Sequence, residues 1–274
     1  MKPRTPGFWL IVATVGLLAL LPIQALAGMS PEEVKMFTDE MKKAEKGDRV
    51  AQYTLGNCYY NGAGVAKAKA QAVSWYRKAA EQGLAQAQFN LGFCYSMGEG
   101  VANDFVQGVS WYRKAAEQGL AQAQLNLGIC YFKGEGVTKD QVQAAAWWRK
   151  AADQGYADAQ SRLGLSYELG YGVAKDQVQA VSWYRKAAEQ GHAKAQSYLG
   201  ICYEFGLGVA RDQIEAYAFY NLAMASQTLT EDMIGKLYFL EKKMTPDQIA
   251  AGTKRSIELQ KKIEAKRASK AAGK

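Results

Sequence analysis

Four cysteines, one histidine, five glycine pairs and a series of aspartates are the residues in this 274-residue chain with types suited to chemistry. Cys58, Cys94, Cys130 and Cys202 fall at intervals of 36, 36 and 72 residues, with Ser166 in the vacant slot between the last two. In an exported chain an even cysteine count suggests disulfides. Here one cysteine per period puts neighbouring thiols about one helix-packing distance apart, ~10 Å, and a disulfide needs Cα atoms within ~7 Å. They read as small residues on a buried face. His192, the only histidine, has no second histidine or cysteine in helical register, so no metal site is expected. The words Gly62-x-Gly64, Gly98-x-Gly100, Gly134-x-Gly136, Gly170-x-Gly172 and Gly206-x-Gly208 lack the flanking strand and third glycine of a phosphate loop, and their recurrence makes them turns. Asp104, Asp140, Asp176 and Asp212 stand where helices begin and are caps before they are acids. No nucleophile, base and orienting group can be assembled, so the sequence predicts neither an enzyme nor a cofactor.

What must position these residues is a repeat. Trp75, Trp111, Trp147 and Trp183 lie 36 residues apart, with Phe219 in the same slot of a fifth copy. Leu55, Leu91, Leu127, Leu163 and Leu199 keep the same interval, each followed by glycine. A fixed period of this length belongs to solenoids, whose units bury their apolar faces only against neighbours. In the first copy Ala51, Leu55, Cys58 and Tyr59 share one face of a short helix, and Tyr53, Asn57, Tyr60 and Asn61 share the opposite one. The glycine pair ends that helix. Asp104 with Gln107, and its equivalents Asp140/Gln143, Asp176/Gln179 and Asp212/Glu215, then spells a capping box for a second helix. The first copy has Ala68 instead and should start that helix less firmly. Gly108, Trp111, Tyr112, Ala115 and Ala116 form one large-plus-small stripe along the second helix, with Trp a principal buried ring. The predicted fold is all-α: an α/α solenoid, with right-handed superhelical drift, of five 36-residue helix hairpins between helical caps.

The words A-x-x-x-L-G-x-x-Y-x-x-G-x-G-V-x-x-D, read from Ala87, and W-x-x-K-A-A-x-x-G, ending at Gly119, resemble the Sel-one-like repeat family, a relative of the tetratricopeptide repeat. The resemblance runs from about Asp48 to Gln227, two thirds of the chain. It implies adaptor or scaffold roles in protein complexes, often in exported bacterial proteins, and supplies no catalytic motif. Exported cysteine-rich members carry two cysteines per repeat that pair within it, and the second is absent here. The fifth copy departs from the pattern, with Phe219 for Trp and Gln227 for the closing Gly, as a transition into a cap would.

Read in order, residues 1–27 have the layout of a secretory signal peptide: Lys2 and Arg4, an apolar run from Phe8 to Leu21, and Ala25-Leu26-Ala27 before the cut. The run is short for a membrane span, which needs ~20 residues. The mature protein is therefore expected to be soluble and exported, periplasmic or secreted. Residues 28–47 form an N-terminal capping helix started by Ser30, Pro31 and Glu33. Five repeats follow at 48–83, 84–119, 120–155, 156–191 and 192–227, and residues 228–274 hold C-terminal capping helices and a basic tail, with residues 261–274 expected to fray. Net charge is +8, but residues 254–274 carry +6 of it and Lys2 and Arg4 the other +2, leaving the body neutral. No basic stripe suits nucleic acid. The tail allows at most weak contact with an anionic membrane surface.

The variable first-helix face is what remains. It offers Tyr53, Asn57, Tyr60, Phe89, Phe93 and Phe132 in the first three repeats and Glu168 and Glu204 in the last two, a groove passing from aromatic to acid-edged. Aromatic side chains dominate interface hot spots, so the leading expectation is a non-catalytic exported scaffold that binds a peptide or protein segment in the concave groove. The alternatives are a cell-envelope hydrolase or its regulator, or a secreted effector acting on host proteins.

Overall fold

The computed structural model describes residues 31–225 and 231–272, so the signal-peptide assignment and the Ser30 cap lie outside the described residues. Among them are thirteen helices and no strand: α1 (Pro31–Glu45), α2 (Arg49–Asn61), α3 (Lys69–Glu81), α4 (Ala85–Met97), α5 (Phe105–Glu117), α6 (Ala121–Lys133), α7 (Gln141–Asp153), α8 (Ala157–Leu169), α9 (Gln177–Ala188), α10 (Ala193–Phe205), α11 (Gln213–Ala225), α12 (Glu231–Glu241) and α13 (Pro246–Ala272). The chain divides into two compact units, one ending at Asp104 and one beginning at Phe105, a boundary inside the second repeat. Both are built as the α/α hairpin repeats of a solenoid.

The two glycines of each turn do different work. The first, at Gly134 for example, ends its helix in the left-handed region at φ 80°, where a side chain would be strained, and donates its N–H to the Cys130 carbonyl. The second approaches the preceding repeat. A Cβ on Gly136 would collide with the Phe105 carbonyl, and one on Gly172 with the Gln141 carbonyl. The first turn of one hairpin's second helix thus rests on the glycine of the next hairpin.

In the first unit α1 packs on α2 as a half-repeat, burying Phe37 and Ala44 and setting Phe37 edge-on to Tyr59 at 5.8 Å. Asp48 caps α2 by accepting from the Val50 and Ala51 amides at 2.8 and 2.9 Å. Ala68 gives α3 no side-chain cap. In the second unit α6–α7, α8–α9 and α10–α11 are the hairpins, and α11 is covered by α12 and α13. Asp140 and Asp176 cap α7 and α9 through the amides of Gln143 and Gln179, and Asp212 caps α11 through those of Ile214 and Glu215. Thr245 and Gln248 complete a reciprocal box at the start of α13.

Buried glutamine amides tie repeat to repeat. Gln88, Gln124, Gln160 and Gln196 each donate to a carbonyl near the end of the previous second helix, at Ala80, Ala116, Ala152 and Ala188, over 3.1–3.3 Å. The acceptor oxygens of Gln52, Gln124 and Gln160 take a bond from Gln82, Gln154 and Gln190, each at 2.8 Å. This amide relay satisfies helix-end carbonyls that would otherwise be orphaned.

Two expectations are corrected. The periodic tryptophans are not the main buried rings: Trp75, Trp111 and Trp147 are half-buried, each covered by the lysine three residues on, with Lys150 Nζ 4.0 Å from the Trp147 ring centre. Only Trp183 among them is buried. The following residue fills the core instead, at Tyr76, Tyr112, Trp148, Tyr184 and Tyr220. Its ring needs space on the facing helix, and a glycine provides it: a Cβ on Gly128 would stand 2.5 Å from Trp148, and one on Gly164 2.6 Å from Tyr184. The basic tail does not fray where expected either. α13 continues to Ala272, with Ile263 buried beside Tyr184 and Leu199, Lys266 pairing with Glu189 at 3.4 Å, and Arg267 donating to the Gln190 carbonyl at 3.0 Å.

Candidate protein-interaction face

The buried rings Tyr76, Trp148, Tyr184 and Tyr220 cross their hairpins and bring their polar tips to the first-helix face, where they gather variable neighbours. In the first unit the ring is Tyr76. Its hydroxyl donates to Asn57 Oδ1 at 2.8 Å, and Asn90 of the next repeat donates to the same oxygen at 3.3 Å. Tyr53 and Tyr60 flank it with ring centres 6.1 and 6.4 Å away. The Tyr60 hydroxyl donates to Glu99, which is also paired with Lys69 at 2.9 Å. Those two partners hold the half-buried Glu99 carboxyl below the usual range, the Tyr60 bond first. Burial, then the carboxylate, pushes the Tyr60 hydroxyl up to about 12. Phe89 and Phe93 of α4 are half-buried.

In the second unit the same construction carries different chemistry. Around Trp148, whose Nε1 donates to the Leu125 carbonyl at 3.2 Å, stand Phe132, with ring centres 5.5 Å apart, and Arg162 of the next repeat, its guanidinium 5.7 Å from the ring centre. Phe132 also meets Tyr171 at 5.5 Å. Around Tyr184, Glu168 accepts the hydroxyl proton and Tyr198 lies 5.0 Å away, ring to ring. Around Tyr220, Glu204 accepts the hydroxyl at 2.9 Å and pairs with Lys243 at 3.7 Å.

The sequence-selected residues thus fall into place unevenly. Tyr53, Asn57 and Tyr60 meet about one tip, and Phe132 stands at another. Glu168 and Glu204 each hold a tyrosine of their own repeat, and Glu204 is 6% exposed. Trp148, Asn90, Arg162, Tyr171 and Tyr198 belong to the same clusters and escaped the sequence reading. The signal was there: Thr54, Asn90, Asn126, Arg162 and Tyr198 occupy one slot that changes type in nearly every copy.

The other residues with reactive types serve structure. His192 caps α10, its Nδ1 accepting from the Ala195 amide at 3.1 Å, with Nε2 3.2 Å from Asp158. The four cysteines are free thiols, Cys94, Cys130 and Cys202 buried. Burial pushes Cys94 and Cys130 up to about 11 and Cys202 up to about 12. No helix of the described residues is long and apolar enough to cross a membrane.

Comparison with known proteins accounts for the hairpins. The Sel1 repeat family model matches residues 49–84, 85–120, 121–156, 157–192 and 193–225. Among solved structures, the chain is 37% identical to a protective antigen of uropathogenic Escherichia coli strains displaying an SLR fold, with a TM-score of 0.74 over 82% of this chain and 49% of that one. It therefore spans about half the length of that antigen. It is 35% identical to a Sel1 repeat protein from Oxalobacter formigenes, with a TM-score of 0.70 over 81% of this chain and 95% of that one. No match emerges among curated proteins.

Proposed function

The chain belongs to the Sel1 repeat family, whose members are typically protein–protein interaction scaffolds built on a generally non-catalytic fold, and from that premise we propose that it is an exported scaffold that docks a peptide or protein segment on its first-helix face. The observation that carries this reading is the clustering of half-buried rings and hydrogen-bonding groups about the second-helix tips, as where Tyr53, Tyr60, Asn57 and Asn90 gather at Tyr76. The slots that vary between copies are the slots that meet there. Rings already held by neighbours lose little freedom on binding, which favours them as anchors.

Export rests on residues 1–27, with cleavage after Ala27, and N-terminal sequencing of the mature protein tests it. The docking face is tested by placing a photo-crosslinking phenylalanine analogue at Phe89, at Phe132 or, on the outer side, at Trp75. Crosslinked partner at the first two positions and none at the third is the expected result. Crosslinks confined to Trp75 would move the docking surface off the first helices.

A further inference from the structure

The tip clusters of the second unit differ in the charge that they gather. In the last two repeats a tyrosine hydroxyl meets a glutamate: Tyr184 with Glu168, and Tyr220 with Glu204, which Lys243 also pairs. At Trp148 the slot of those glutamates holds Phe132, and the neighbouring slot brings in a cation, Arg162. Its guanidinium faces the Trp148 ring and makes no ion pair or side-chain hydrogen bond among the described residues. The nearest carboxylate on its own helix, Asp158, lies 3.2 Å from His192 Nε2 instead. The Arg162 side chain is solvent-exposed, so its N–H groups are open to a partner. The adjoining helices still desolvate it, the largest influence on its pKa, which is lowered; a guanidinium remains charged regardless. A cation backed by an aromatic ring, partly stripped of water and in no direct ion pair, with Asp158 acting on it only at a distance, favours an incoming carboxylate, which a guanidinium engages through two parallel hydrogen bonds.

We propose that Arg162 receives an aspartate or glutamate side chain of the docked segment, with the segment's neighbouring apolar residues resting on Phe132 and Tyr171 to one side and on Tyr198 to the other. This rests on the docking reading above and names its specificity. An acidic side chain within a segment fits better than a chain-terminal carboxylate, because further rings neighbour the Arg162–Trp148 pair: Phe132 stands near Trp148 and meets Tyr171 at 5.5 Å, and Tyr198, which acts on Arg162, lies 5.0 Å from Tyr184. The assignment reverses the charge expected from the glutamates at this end of the repeat array. Glu168 and Glu204 each hold a tyrosine hydroxyl, and Glu204 also pairs with Lys243, whereas Arg162 has no ion-pair partner among the described residues.

The test uses the mature protein and two arrays of C-terminally amidated twelve-residue peptides, random except for a sixth residue fixed as Glu in one and Gln in the other. The Glu array is expected to yield the tighter binders, enriched in Phe, Tyr or Leu beside the fixed position. For resynthesised binders followed by fluorescence anisotropy, changing the peptide Glu to Gln should weaken binding about tenfold or more, as charged hydrogen bonds do. Arg162→Gln should weaken the Glu peptides equally and leave their Gln counterparts within about twofold, and Arg162→Lys should fall between. Equal binding from both arrays, or Glu peptides indifferent to Arg162→Gln, overturns the proposal. So does a requirement for a free terminal carboxylate, read by repeating the Gln array without amidation. Peptides that bind without acidic preference yet weaken on Phe132→Ala overturn this inference alone; no binding from any array overturns the docking reading with it. The Glu-to-Gln comparison on unaltered protein does not depend on how any variant folds.

Discussion

Trp147 and Trp148 are consecutive residues of one helix with opposite surroundings. Trp147 lies on the outer side, half-buried, beneath Lys150. Trp148 passes through the hairpin against Gly128, is 3% exposed, and meets Phe132 and Arg162 on the inner face. The outer ring recurs as Trp at 75, 111 and 183 and gives way to Phe219 in the fifth copy, while the inner slot is Tyr in every copy but this one. The residue that marks the period most loudly is therefore not the one that fills the core or builds the binding face. On the outside a ring–lysine arrangement works alike in the first four copies. The inner ring is nearly as constant, but it meets different neighbours at each described tip.

The sharpest way to break this comparison is to truncate both rings. Trp148→Ala should lower stability by about 3–5 kcal/mol, the cost of removing a buried aromatic, and Trp147→Ala by less than half as much, read from urea midpoints. Equal losses would put the outer ring in the core after all. Next, Gly128→Ala forces a methyl 2.5 Å from the Trp148 ring. Overpacking of about 1–3 kcal/mol outweighs a helix-propensity gain of about 1 kcal/mol, so a net loss is expected, and Gly128→Ala combined with Trp148→Ala should cost less than the two changes summed.

A pH titration sharpens the contrast further. Burial raises the folded-state pKa of Tyr76 and Tyr184, with the Glu168 carboxylate adding to the effect at Tyr184. A raised folded pKa gives stability that is fully present below the unfolded tyrosine value near 10 and lost as pH climbs above it toward the folded value. Tyr184→Phe should accordingly flatten the fall in urea midpoint between about pH 10 and 11.5; an unchanged slope would mean that the tip is not sealed from solvent. The smallest effect belongs outside. Lys150→Ala removes an exposed cation–π contact of about 0.5–1 kcal/mol, with a change in tryptophan emission as the more sensitive readout.

The repeat, its hairpins and its turns were legible because each is a local matter. A left-handed position needs glycine, an orphan amide needs an acceptor, and both recur at one spacing. The choice between Trp147 and Trp148 was not, since both lie on one apolar stripe at 100° per residue and only the facing Gly128 decides which ring goes inward. Counting charges obscured the end of α13. Gly252, Ser256, Leu259 and Ile263 stand at i, i+4, i+7 and i+11, a helical stripe that seats the tail on the fold, with Gly252, Ser256 and Ile263 buried. On the candidate face, aromatic character could be read off Tyr53, Tyr60 and Phe132. The roles of Glu168 and Glu204 depend on which hydroxyl reaches them from the second helix, a pairing across 16 residues that a face-by-face reading leaves out.

The amide relay also says where the array stops. Gln52, Gln124 and Gln160 each receive a bond from the residue thirty positions later, and the slot that would serve Gln196 holds Ser226. Gln196 Oε1 is buried with no hydrogen-bond partner among the described residues. Everything a further copy would need from its predecessor is already on offer, while nothing in the relay counts copies or senses how many came before. Lengthening by unequal recombination would require only an in-frame segment of one period, inserted ahead of the last copy. Gene duplication in such a chain acts on a module whose two joints are already matched, and the lone oxygen at Gln196 is the mark left where the last module was given an ending instead of a successor.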